Sequence, residues 1–159
     1  MKTKIIGIVV LTCFCFVILS NVGIAAGAKN DKQGIKWYSY KDGMALSKKE
    51  KKKVFMNFYA DWCRYCKVMS ANTFVDRAII AYLNANYVAI KVNSDIERDV
   101  AKKYEVRALP STWFIAVDGE PIANQPGYIP ADTLLPILKF IQTDSYLNMK
   151  FSEFKEQNS

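Results

Sequence analysis

An apolar run, Val54-Phe55-Met56-Asn57-Phe58-Tyr59, passes through Ala60-Asp61-Trp62 into Cys63-Arg64-Tyr65-Cys66, and no other feature constrains the fold as tightly. The run reads as a buried strand, and the spacing of Val68, Met69 and Asn72-Thr73 suggests a helix that begins at Cys63. A helix N-terminus offers its first cysteine free N–H groups and roughly half a positive charge, which favour thiolate over thiol. Arg64 adds a full charge beside it. Cys66 falls one turn inside the helix, near enough to close a disulfide on Cys63 and expected to be the less exposed of the two. The arrangement predicts that Cys63 attacks a disulfide and Cys66 resolves the mixed disulfide.

The rest of the chain is organised around that unit. Residues 29–35 form a polar lead-in, and a helix is expected over 42–52. Asp76 is placed to cap a helix over 77–83, with Ile79, Ile80 and Leu83 on one face. Tyr87-Val88-Ala89-Ile90-Lys91-Val92 reads as a second buried strand. Ser94 and Glu97 have the spacing of a capping box for a helix carrying Ile96, Val100 and Tyr104 on one stripe. A hairpin follows, with a strand over 112–117, a two-residue Asp118-Gly119 turn and a return over 121–125. The last helix is expected over 132–142, its start set near Asp132 or Thr133 because Pro136 is tolerated only close to the first turn. The order is β-α-β-α, then β-β-α. That describes an α/β fold with a central mixed sheet, a parallel β-α-β unit plus an antiparallel hairpin, flanked by helices.

Composition narrows the chemistry. The 159 residues suit one domain with a short appendage and contain no histidine. Its absence removes Ser-His-Asp and Cys-His nucleophile pairs, His-liganded zinc or copper, and haem held by a proximal His. Lys and Arg number 22 against 15 Asp and Glu, and the run Lys48-Lys49-Glu50-Lys51-Lys52-Lys53 is the one basic patch. It reads as a solvated helix end, with attraction to an anionic membrane surface or an acidic partner as the alternative. No second basic cluster with interleaved aromatics accompanies it, so nucleic acid is not an expected partner.

The amino end has the layout of an address. Lys2 and Lys4 precede an uncharged, mostly apolar run from Ile5 to Leu19, Ser20 and Asn21 break it, and Ala26-Gly27-Ala28 closes it. These are the three regions of a secretory signal peptide cleaved before Lys29. The stretch 5–28 is also long enough to cross a bilayer, so a retained anchor is the alternative. A lipoprotein is disfavoured, because Thr12 precedes Cys13 where a small residue is usual. Either reading exports the folded part, to the periplasm or to a membrane anchor facing it. Removing 1–28 takes Cys13 and Cys15 and leaves Cys63 and Cys66. Two cysteines are too few for a disulfide scaffold or a four-thiolate zinc site. A pair three residues apart also restricts the unfolded chain little, so its use is redox exchange.

Over residues 35–143 these features resemble the thioredoxin superfamily, in particular its exported disulfide-reducing branch: the C-terminal domain of DsbD-type interchange proteins and the periplasmic thioredoxins of sulfur oxidation and cytochrome c maturation. Four stretches carry the resemblance: Tyr59-Ala60-Asp61-Trp62-Cys63 with Cys66, Thr73-Phe74 before a capped helix, Leu109-Pro110-Ser111-Thr112 before a strand, and Gly127. The resemblance implies a cis bond at Pro110, which would lay the Leu109 backbone beside the cysteines as an unpaired edge for an extended substrate. It places Gly127 next to the site, makes Trp62 a packing and shielding residue, and lets Tyr65 adjust the redox poise. It also matches Lys91 to a family lysine in the second strand. One position departs from the pattern. Many relatives hold a buried Asp six residues before the first cysteine, where this chain has Asn57, and a carboxamide accepts no proton at working pH.

The expected activity is that of an exported thiol–disulfide oxidoreductase, reducing protein or small-molecule disulfides as a monomer. It would use no metal and no cofactor, and would draw electrons from a membrane donor of the DsbD type. A disulfide oxidase or isomerase is the enzymatic alternative, and a Cu(I)-binding or chaperone-like thiol module the non-enzymatic one. The chain is expected to divide into a leader (1–28), a thioredoxin-like domain (29–143) and a C-terminal extension (144–159) that either packs on the domain as a short helix from Ser152, through Tyr146, Leu147, Phe151 and Phe154, or docks a partner.

Overall fold

Residues 34–158, described by the computed structural model, build a five-stranded sheet in the order β1-β3-β2-β4-β5. The leader expected over 1–28, with Cys13 and Cys15, lies outside the described residues. In chain order the elements are β1 (Trp37–Tyr38), α1 (Tyr40–Glu50), β2 (Lys53–Tyr59), α2 (Arg64–Asn72), α3 (Arg77–Asn86), β3 (Tyr87–Asn93), α4 (Arg98–Lys103), β4 (Ser111–Ile115), β5 (Pro121–Pro126), α5 (Ala131–Gln142), a single 3₁₀ turn (Ser145–Leu147) and α6 (Phe151–Gln157). Strands β1 and β2 run parallel to β3, while β4 runs antiparallel to β2 and β5 antiparallel to β4. This is the mixed sheet expected from the sequence, with one strand more.

Alternation along β2 and β3 sorts the core into two layers. Val54, Met56 and Phe58 share one face with Val88, Ile90, Val92 and Tyr104, under α1 and α4. Phe55, Ala89 and Phe114 face the other side, where Met69, Ile79, Leu83, Leu134 and Leu138 bring in α2, α3 and α5. Burying each such side chain is worth roughly 1.5–3 kcal/mol, so both layers are needed to hold the sheet. Helix α1 lies close on β3 because Gly43 carries no side chain; a Cβ there would run into the Ile90 side chain.

Several elements depart from expectation. Strand β1 was not legible, since Trp37 and Tyr38 are too short a stretch to show a period and are held by pairing with Ala89 and Ile90. Helix α1 starts at Tyr40, two residues early, because the Ser39 side chain caps it at the Asp42 N–H. The expected box at Ser94 and Glu97 does not form: Glu97 makes no side-chain cap, and the Asn93 carboxamide takes the Asp95 N–H at 3.0 Å instead. Helix α4 is therefore short, and Ile96 is 78% exposed rather than on its buried stripe. The β4–β5 connection holds five residues, 116–120, and not a two-residue turn, with Gly119 at φ 97° and its N–H bonded to the Ala116 carbonyl at 3.0 Å. Helix α5 begins at Ala131, which places Pro136 in its second turn; the Asp132 carbonyl that loses its helical donor belongs to an exposed residue that water reaches. Past α5, Phe154 is buried and its ring meets Phe140 at 5.3 Å, so α6 lies against α5.

Candidate redox site

Strand β2 ends at Tyr59 and a tight turn follows, in which the Cys63 N–H donates to the Ala60 carbonyl at 3.1 Å. Cys63 is then the N-cap of α2, in extended backbone conformation, and its Sγ accepts the Cys66 N–H at 3.1 Å. The cap is thus the reactive sulfur itself. A thiolate at this atom would receive a main-chain N–H and the positive end of α2, the two effects that lower a cysteine pKa at a helix start. Cys63 and Cys66 are joined as a disulfide with Cα atoms 5.3 Å apart. The expectation that Cys63 is the more exposed does not hold in this oxidised state, where the two are 4% and 5% accessible. The bond ties the sulfurs together and Leu109 and Ala60 pack over both.

Opposite the disulfide, the Leu109–Pro110 peptide bond is cis. Its loop is tied from behind by the Gly127 N–H, which donates to the Pro110 carbonyl at 2.7 Å. Gly127 does this at φ 90°, a conformation that L side chains rarely adopt. Arg64 and Tyr65 are both exposed beside the cysteines. Trp62, expected to pack, is 71% exposed. Its position comes from a hydrogen bond instead, Nε1 donating to the Asp95 carboxylate at 2.9 Å.

Strands β2 and β3 each carry a polar side chain near the end that leads to the cysteines. Asn57 is 2% exposed and its amide donates to the Thr112 hydroxyl at 3.3 Å. Lys91 stands opposite it in the β2–β3 register, half-buried, with Nζ 4.7 Å from the Tyr59 ring centre and 5.6 Å from that of Trp37. Burial pushes the Lys91 ammonium below its ordinary value, and the nearby Asp61 carboxylate opposes that shift. Asp61 in turn accepts from the Asn93 amide at 3.5 Å. Tyr59, Ala60, Asp61, Cys66, Lys67, Ser70, Ala71 and Lys91 line a cavity of about 450 Å³.

Sequence reasoning did not single out Asp61, Asn93 or Asp95 as site residues. Asp61 and Trp62 meet Asn93 and Asp95 only because β2 and β3 pair in parallel and end together, which the Ser94 N–H secures by donating to the Tyr59 carbonyl at 2.8 Å. The available signal was the Asn93-Ser94-Asp95 spacing, suited to an Asx turn. Among the described residues, no group of three or more Cys, Asp or Glu is arranged to hold a metal ion.

This geometry has known counterparts. A family model described as a thioredoxin-like domain matches residues 40–142. The chain is 35% identical over 107 residues to the thiol:disulfide interchange protein DsbD of Vibrio vulnificus, an alignment that covers 62% of this chain but 17% of that protein. It is 32% identical over 88 residues to a thioredoxin of Mycoplasmoides gallisepticum, covering 55% of this chain and 83% of the relative. Among solved structures, a Thermus thermophilus thioredoxin superposes with a TM-score of 0.63 at 24% identity, covering 69% of this chain and 88% of the other. The DsbH oxidoreductase gives 0.57 at 17% identity, covering 74% and 88%.

Proposed function

The chain belongs to the thioredoxin-like family as a disulfide oxidoreductase with a Cys63-x-x-Cys66 pair, and on that premise we propose that it is an exported reductase of disulfides. The observation that carries the exchange chemistry is the Cys63–Cys66 disulfide at the start of α2, and the 35% identity to a thiol:disulfide interchange protein supports it. The basic, apolar and small-residue layout of residues 1–28 supports export. A reductant working where the surroundings are oxidising needs its electrons delivered, and a membrane donor of the DsbD type fits that need.

In the forward reaction the Cys63 thiolate attacks one sulfur of a substrate disulfide and releases the other as a thiolate. Cys66 then attacks Cys63 Sγ, the substrate leaves as a thiol, and the disulfide seen here forms. The Leu109 loop packs against the sulfurs just ahead of β4, and an unfolded or extended cysteine-containing chain is the substrate that such an edge would suit. The reaction asks for no cofactor, because the electrons travel as the dithiol pair.

Equilibration of the Cys63–Cys66 couple with glutathione mixtures tests the direction. A potential well below that of glutathione is expected; one well above it would make the protein an oxidant. Fractionation of cells that make the full chain tests export, and a species confined to the cytoplasm would reject it.

A further inference from the structure

For Cys66 to resolve a mixed disulfide its thiol must lose a proton while the residue is only 5% accessible. A thiol in apolar surroundings holds that proton harder than one in water. The buried carboxamide of Asn57 on β2 is committed as donor to Thr112 and cannot take a proton. Cys66 does line one side of the 450 Å³ cavity, however, and the titratable groups that reach the same cavity can be named by element. Strand β2 contributes Tyr59, the β2–α2 turn Asp61, helix α2 Lys67 and strand β3 Lys91. Asp61 is the single carboxylate among them.

We propose that Asp61 accepts the proton of the resolving Cys66 thiol, with Lys91 balancing the charge of the cavity while it moves. The inference rests on the assignment of Cys66 as the resolving cysteine. Before transfer the trio is ammonium, carboxylate and neutral thiol; after it, ammonium, neutral carboxyl and thiolate. Net charge in the cavity is the same at both stages, so the thiolate is formed without adding an unpaired charge to a partly dehydrated site. The thiolate then forms the S–S bond to Cys63, the bond from Cys63 to the substrate sulfur breaks, and the electron pair leaves on the substrate. Its proton comes from Asp61 by way of solvent, so a thiol departs and the carboxylate is restored. Two contacts keep the partners in place: Asn93 donates to Asp61 at 3.5 Å, and the rings of Tyr59 and Trp37 flank the Lys91 ammonium.

Stopped-flow reaction of the reduced full chain with the aromatic disulfide 5,5′-dithiobis(2-nitrobenzoate) separates the steps. A first release of thionitrobenzoate reports attack by Cys63, and a second reports resolution by Cys66. Asp61→Asn should leave the first release unchanged and slow the second about tenfold near neutral pH. The wild-type second step should depend only weakly on pH below neutral, whereas that of Asp61→Asn should fall steadily as pH drops. Adding Asn57→Asp to Asp61→Asn should restore much of the second step by placing a carboxylate on β2 opposite Lys91. Lys91→Met should slow the second release and move its profile to higher pH. A second release that Asp61→Asn leaves unchanged would overturn the proposal, as would an equal slowing at every pH. Rapid first release from Cys63→Ser would instead overturn the order of attack, and with it the reading on which the proposal rests.

Discussion

At one end of β2, Lys53 donates to the Gln142 carbonyl at 3.0 Å and pairs with Asp144 at 2.7 Å, while Tyr87 opposite it donates its hydroxyl to the Leu138 carbonyl at 2.7 Å. At the other end, Tyr59 gives way to a turn, an open cavity and exposed aromatics, tied to β3 by the side chains of Asn93 and Asp95. The first end is a clamp between sheet and α5. The second leaves main chain and ionisable groups facing a cavity. The difference teaches that one strand serves two purposes: its apolar middle and lower end fix the sheet, so that its upper end can carry groups that contribute little to stability. Substitutions at the two ends should therefore separate activity from stability.

The largest effects should show that separation outright. Cys63→Ser should abolish reduction of insulin disulfides, while the unfolding midpoint of the reduced variant stays near that of the reduced wild type. Leu138→Ala, in the fully buried layer against α5, should do the reverse: about 2–5 kcal/mol of stability lost, with exchange per folded molecule unchanged. Denaturant melts beside the insulin assay read both. Activity that fell in step with the folded-state stability of Leu138→Ala would mean that the ends are coupled.

Asn57→Asp probes the border between the two regions, because Asn57 is buried on β2 opposite Lys91, which lines the cavity. Desolvation should raise the acid's folded pKa above the unfolded ~3.9. Below pH ~4 the group is neutral in both states and the variant should be near wild-type stability. As pH rises toward the folded pKa the unfolded state ionises first, so stability falls and then levels off. The plateau loss is about 1.4 kcal/mol for every tenfold weakening of the acid on folding. Lys91→Met in the same background should deepen the loss by removing the balancing charge. Equal melts of Asn57→Asp and wild type across the whole range would show that position 57 is solvated.

Gly43→Ala tests the scaffold side of α1. Alanine gains about 1 kcal/mol over glycine in a helix interior, but its Cβ meets Ile90, and overpacking costs about 1–3 kcal/mol. A net loss of about 1 kcal/mol is expected, and its disappearance when Gly43→Ala is made in an Ile90→Ala background, compared with Ile90→Ala alone, would locate the cause at that contact. A stabilised Gly43→Ala would mean that α1 shifts freely on β3.

The same division governs what was legible in the sequence. Strands β2 and β3, the Asp76 cap and the helix starting behind Cys63 could be read because each is a local pattern with a period or a cap. The bends and turns near the site could not. Ser94 and Glu97 satisfy the spacing rule for a capping box, yet the chain leaving β3 is claimed first by Asn93, whose carboxamide serves both the Asp95 N–H and the Asp61 carboxylate. Trp62 looks like a core residue by type, but its ring is held outward by Asp95, a partner 33 residues away that the sequence alone does not bring near. Strand β1 is too short to announce itself and exists through its pairing with β3.

The smallest pH-dependent effect belongs to the clamp. Lys53→Met keeps the aliphatic packing of the side chain and removes two polar contacts, to Asp144 and to the Gln142 carbonyl. The Lys53 hydrogen bond, ahead of the charge itself, holds the Asp144 carboxyl below the usual carboxylate range. A depressed folded pKa gives stability that is complete above the unfolded value of ~3.9 and is lost as pH falls through the folded one. Asp144 is half exposed, so solvent screening limits the pair to about 1 kcal/mol or less. The gap between wild type and Lys53→Met should therefore be small at neutral pH and should narrow in acid. What remains there is the Gln142 carbonyl's lost donor, about 0.5–1.5 kcal/mol and independent of pH. Melts at pH ~7 and pH ~2 separate the two parts by the linkage sign alone. A gap that widened in acid would mean that Asp144 opposes the fold, and a slower disulfide exchange in Lys53→Met would show that the clamp reaches the redox end of the strand.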